Sequence, residues 1–135
     1  MRVKCEEVEQ LSLSLENRPG VLADLCAHLS DHHLNIRAIS VLENTNPGMV
    51  RLVVDDVEAA KRALVDAGVK FSSAKCLALE MPNSPGGFGD IARTLSLGGI
   101  NIDYIYASAV AGTAAALGVL HVSDLERALA LNWEG

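Results

Sequence analysis

The chain has 135 residues, half of them hydrophobic but only 4% aromatic, and a formal net charge of −6. That apolar content supports a packed core of Leu, Val, Ile and Ala and excludes an intrinsically disordered chain. The acidic balance, the lack of a basic run and the scarcity of rings for stacking bases exclude nucleic acid as the expected partner.

In chain order, the N-terminal MRVKCEEVEQ carries charges where a secretory leader needs an apolar core. EQLSLSLE then alternates apolar and polar residues and predicts a half-buried strand. NRPG breaks it with the two strongest punctuators. From Val21 to His32, Leu22, Leu25, Cys26 and Leu29 recur at helical spacing. NIRAISV returns to strand character, ENTNPG is a turn, and MVRLVV is another strand. Asp55 with Glu58 predicts a capping box that opens a helix held to the core by Ala60, Ala63 and Leu64. Gly68 ends that helix, and VKFSSA starts a fourth strand.

The order then repeats. CLALEM is a strand, NSPG a break, and a helix runs from about Phe88 to Leu97. INIDYIYASA and AAALGVL are strands with Gly112 near their turn, and SDLE from Ser123 to Glu126 is a second capping box. A shift of 66 positions superposes Leu11, Leu13, Asn17, Pro19, Gly20, Asp24, Leu29, Ser30, Asn35, Ile36 and Ile39 on identical residues, ending at Ile105. These identities fall at the joints between elements, the mark of an internal duplication whose period is too long for a solenoid.

The expected fold class is α+β: two tandem ferredoxin-like β-α-β-β-α-β domains, residues 1–72 and 73–135, each an antiparallel sheet with its helices on one face. After the second copy's last helix only NWEG remains, so its fourth strand is short, missing or supplied by the N-terminus. The same shift pairs Val3-Lys4 with Val69-Lys70, so residues 2–8 either return to complete that sheet or leave a three-stranded second domain with a ragged N-terminus.

Other chemistry is weakly encoded. GGFGDI has Ala92 where a dinucleotide motif needs its third glycine. Asp24, His28 and His32 have the spacing of a zinc site on one helix face, but they equally make an exposed polar face, so no metal is expected. Cys5, Cys26 and Cys76 are scattered without a C-x-x-C, as expected of reduced thiols. No uninterrupted apolar run approaches the roughly 20 residues of a membrane helix. The expectation is a cytoplasmic protein without membrane contact or cofactor.

ENRPGVLADL followed by LNIRAISV and GMVRLVV resembles the ACT domain family, and NSPGGFGDI with INIDYIY resembles a second ACT domain. The resemblance runs from about Val8 to Leu131 and is greatest to small stand-alone tandem-ACT proteins, which carry no catalytic domain. It implies a non-enzymatic sensor in which ACT domains pair side by side. It further implies that an amino acid binds where the first loop of one domain meets the second strand of its neighbour.

The implied site residues are Asn17, Pro19, Gly20, Val21, Leu22, Asn35 and Ile36 in copy one. In copy two they are Asn83, Pro85, Gly86, Gly87, Phe88, Asn101 and Ile102, with Tyr104 and Tyr106 sharing a face of the following strand. Unpaired helix-start N–H groups suit a carboxylate, glycine lets a ligand approach the backbone, and asparagine offers both donor and acceptor. A homodimer is expected through unpaired sheet edges, with a regulated enzyme as partner. The alternatives are an interaction module without a ligand of its own and an acylphosphatase-like enzyme using Arg18 and Asn17.

Overall fold

The computed structural model describes residues 3–42 and 47–133, so residues 43–46 of the expected ENTNPG turn lie outside the described residues. The elements are β1 (Lys4–Leu15), α1 (Val21–Asp31), β2 (Ile36–Leu42), β3 (Gly48–Val54), α2 (Val57–Asp66) and β4 (Phe71–Pro82). They continue as α3 (Gly87–Leu97), β5 (Ile102–Ala109), β6 (Ala115–Val122) and α4 (Leu125–Leu129). The chain divides into two compact units, Glu9–Ala74 and Met1–Val8 together with Lys75–Gly135.

In the unit Glu9–Ala74 the strand order is β2-β3-β1-β4. β3 runs antiparallel to both neighbours, placing Leu52 opposite Leu11 on one side and Ile39 on the other. The LSLSL alternation points Leu11, Leu13 and Leu15 to one face and Ser12 and Ser14 to the other. Leu25 and Leu29 of α1 and Ala60, Ala63 and Leu64 of α2 cover the leucine face, forming one core with Leu11, Leu13 and Leu52. Each leucine so enclosed contributes about 2 kcal/mol.

The second unit has the order β1-β4-β6-β5, with Leu77 opposite Leu120 and Leu120 opposite Ile105. Its core joins Leu77, Leu79, Ile91, Leu95, Leu120 and Ala128 to Val3 and Trp133. Val3 donates its N–H to the Trp133 carbonyl at 3.2 Å, and the Trp133 indole donates to the Ala128 carbonyl at 2.9 Å. α4 has 5 residues against the 10 of α2, and the buried Trp133 ring supplies apolar volume just beyond its shorter end.

The repeat changes period inside the fold. Leu11 and Leu77 are 66 apart, but their partners Leu52 and Leu120 are 68 apart, so the β5–β6 hairpin is two residues longer than β2–β3. The helix caps also fall one residue later than the capping boxes predict. Asp56, not Asp55, accepts from the Ala59 N–H, and Asp124, not Ser123, accepts from the Arg127 N–H. Asp55 and Ser123 are turned instead toward the preceding strand, because the N–H groups of Asn35 and Asn101 need acceptors there.

Candidate ligand-binding site

Both helix-start loops are built on a left-handed glycine. Gly20 (φ 90°) and Gly86 (φ 84°) each stand at the N-cap of an 11-residue helix, with no side chain capping either helix start. The turns close through Val21 N–H to Arg18 O (3.4 Å) and Gly87 N–H to Ser84 O (3.1 Å). The next two N–H groups, of Leu22 and Ala23 or Phe88 and Gly89, have no intrahelical partner and carry the positive end of the helix dipole. A side-chain carbon added at Gly20 or Gly86 would meet nothing within 4 Å, so the space beside these two glycines is open.

The two loops differ in their supports. Asn83 donates its side-chain amide to the carbonyls of Val110 (3.2 Å) and Thr113 (3.0 Å), and its backbone N–H to Ala114 (3.0 Å). Its donors are therefore engaged by the β5–β6 hairpin, leaving Oδ1 as its acceptor for anything else. In copy one the Arg18 guanidinium pairs with Glu16 at 2.6 Å, and that hydrogen bond pushes its pKa above the ordinary value. Pro19 and Pro85 are exposed beside their glycines, Leu22 and Phe88 are exposed on the first helical turn, and Val21 is half-buried where copy two has a buried Gly87.

The Asn-Ile segments lie at the other end of each first helix. Asn35 N–H donates to Asp55 Oδ1 at 3.0 Å and Asp55 N–H returns to Asn35 O at 3.1 Å. Asn101 makes the same reciprocal pair with Ser123, at 2.9 and 3.0 Å. Ile36 and Ile102 pack against the cores. An 11-residue helix is about 16 Å long, so neither unit by itself brings its Pro-Gly loop and its Asn-Ile segment together. Asn101 and Ile102 border a depression of about 440 Å³ with Ala92 and Ser96 at the α3 C-terminus.

Spacing alone missed one constellation. The register slips between Ile102 and Tyr104, making Asp103 the extra residue of a β-bulge. Asp103 then accepts from the Asn101 amide (3.0 Å) and from His121 Nδ1 (2.8 Å), while Tyr104 stacks on His121 with ring centres 5.2 Å apart. The hydrogen bond from Asn101, then that from His121, holds the Asp103 carboxyl below the usual carboxylate range. The equivalent bulge in copy one holds Arg37, a reversed charge. Tyr104 and Tyr106 both face the β6 strand, opposite His121 and Val119.

Other polar groups have structural partners. His28 Nε2 lies 2.8 Å from the Ala63 carbonyl and His32 Nδ1 lies 2.9 Å from the His28 carbonyl. Both nitrogens must donate to carbonyl oxygens, so neither offers a metal its lone pair. Burial, then the charge of Glu6, pushes the Cys5 thiol up, away from the reactive thiolate. Among the described residues no helix is long and apolar enough to cross a membrane.

Comparison with known proteins agrees with this geometry. No curated protein sequence matches the chain. The fold is similar to that of protein BT0572 from Bacteroides thetaiotaomicron, with 28% identity over 93% of this chain and 85% of that one and a TM-score of 0.85. It is also similar to the regulatory subunit of aspartate kinase from Thermus flavus, at 18% identity over 96% and 93% of the two chains and a TM-score of 0.63. A third similar structure is E. coli aspartokinase III in complex with lysine and aspartate, at 16% identity over 88% of this chain and 28% of that one, with a TM-score of 0.57. The model of the ACT domain pair matches residues 6–130, and with its duplicated Pro-Gly helix starts the chain belongs to that family.

Proposed function

We propose that this ACT domain pair is a non-enzymatic sensor, binding an amino acid or related small metabolite at its helix-start loops. The observation that carries the reading is the duplicated opening at Gly20 and Gly86: helix N-termini without a side-chain cap, with open space beside their glycines. An α-carboxylate suits the N–H groups there, since charge-assisted bonds to backbone donors are stronger than neutral ones. The separation of each loop from its own Asn-Ile segment supports a site completed by another ACT domain. The β2 and β5 edges suit a homodimer, because unpaired edges favour further pairing.

Binding then shifts the population of one assembly rather than performing chemistry. The regulatory subunit from Thermus flavus supports an enzyme as the regulated partner, and the cytoplasm as the place of action belongs to the same reading. The test is thermal unfolding against the twenty amino acids at a few millimolar each. A ligand at about 100 times its dissociation constant adds about 2.7 kcal/mol, a shift of several degrees for this length. The expected result is a selective rise that Gly20→Val or Gly86→Val removes, each variant compared with its own unliganded midpoint. If no amino acid moves the midpoint, the sensor reading falls and the chain is a docking module for a protein partner.

A further inference from the structure

The unit Glu9–Ala74 has a cavity of about 340 Å³ that none of the helix-start residues lines. It lies on the sheet face turned away from α1 and α2. Ser14 alternates with the core residues Leu13 and Leu15, pairs across the ladder with Met49, and Met49 pairs with Leu42, so all three side chains share that face. Lys70, whose carbonyl accepts from Ser14 N–H at 3.2 Å, and Ser72 adjoin this row with Pro47, whereas the Phe71 side chain packs against the helix-covered core.

Three features of this cavity point the same way. Its volume falls in the range of small-molecule pockets, about 300–1,000 Å³. Met49 is 40% exposed there, a large apolar side chain left facing water. Among the described residues Lys70 is its single charged lining residue, in a chain of net charge −6, and the serines add only neutral donors.

Copy two supplies an internal comparison. By the 66-residue shift, Glu80 replaces Ser14, Lys4 replaces Lys70, Cys5 replaces Phe71 and Glu6 replaces Ser72. The depression bordered by Lys4 and Glu80 is only about 160 Å³. The larger volume and, among the described residues, a cation with no carboxylate beside it in the lining are therefore particular to copy one.

We propose that this cavity is a second ligand site, for an amphipathic monocarboxylate. The apolar chain of the ligand lies on Leu42, Pro47 and Met49, and its carboxylate meets Lys70 with the hydroxyls of Ser14 and Ser72. The apolar walls reward burial of hydrocarbon, about 0.8 kcal/mol per CH₂. The lone lysine selects the anion over a neutral molecule of the same length. This site goes beyond the amino-acid reading and does not depend on it.

The experiment is a ¹H–¹⁵N NMR titration of the full chain with octanoate and, separately, octan-1-ol. Saturable shifts at the amides of Ser14, Met49 and Ser72 are expected, with octanoate the tighter by about two- to fivefold, the worth of an exposed ion pair. Ser14→Glu, which installs the copy-two residue at an exposed position, is expected to weaken octanoate more than octanol, and Met49→Ala to weaken both. Both variants are first shown to keep the wild-type amide spectrum away from the cavity. Shifts that do not saturate, that spread equally to Glu80 and Ala115, or that ignore Ser14→Glu overturn the proposal. So does concentration-dependent broadening at Met49 without ligand, which would make this face an interface between copies.

Discussion

Gly87 shows how one residue separates the two copies. A Cβ there would lie 2.7 Å from the Pro82 carbonyl oxygen, a backbone atom that cannot swing aside. Copy one carries Val21 at the matching position, so its loop stands differently against the strand. Gly87→Ala is expected to lower stability by about 1–3 kcal/mol, as overpacking does, read as an earlier urea midpoint with unchanged slope. A loss under about 0.5 kcal/mol would mean the loop relaxes freely, since that is the range of unremarkable surface changes.

At Asp103 the folded-state pKa is depressed by Asn101 and His121. Its contribution is thus complete above the unfolded value, about 3.9, and is lost as pH falls through the lower folded value. The urea midpoint of Asp103→Asn should lie below wild type near neutrality and converge with it in acid below about pH 4. A gap that stays constant with pH would assign the loss to packing instead. Neither residue's role was legible from spacing: a glycine reads as turn punctuation, and Asp103 reaches His121 only because the strand bulges.

Among elements, the N-terminal strand carries the sharpest test. Lys4–Val8 belongs to β1, Val3 packs with Leu77 and Trp133, and Cys5 is packed against the same core. Deleting residues 1–7 is expected to lower the thermal midpoint by several degrees or more, since one buried valine is worth about 1.5–3 kcal/mol. An unchanged midpoint would show that this core closes without the strand. The return of this segment is traceable in the Val-Lys pair shared by positions 3 and 69. The period change to 68 is less legible, because AGTAAA offers no identity to mark where the two extra hairpin residues enter. Likewise the caps moved by one residue because Asp55 and Ser123 hold the Asn35 and Asn101 amides, partners that lie 20 and 22 residues away.

At the scale of the whole molecule, duplication does not mean equivalence. Arg18 corresponds to Ser84, Arg37 to Asp103, and Asn83 is bound into a hairpin of different length from that of copy one. Calorimetry with the amino acid found by thermal screening should therefore show unequal sites, with Gly20→Val and Gly86→Val removing different fractions of the heat. Equal losses would mean that the two loops are interchangeable.

The sequence by itself determined the alternation of strands and helices, the duplication, and the positions of both Pro-Gly helix starts. These are local properties, set by periodicity, by glycine's tolerance of positive φ and by proline's fixed φ. Tertiary structure decided which residues meet: Val3 with Trp133, Asp103 with His121, and Met49 with Ser14 and Lys70 around one cavity. Such encounters depend on strand register and on a single bulge. A one-residue slip in a strand turns every side chain to the other face, so no local pattern can encode them.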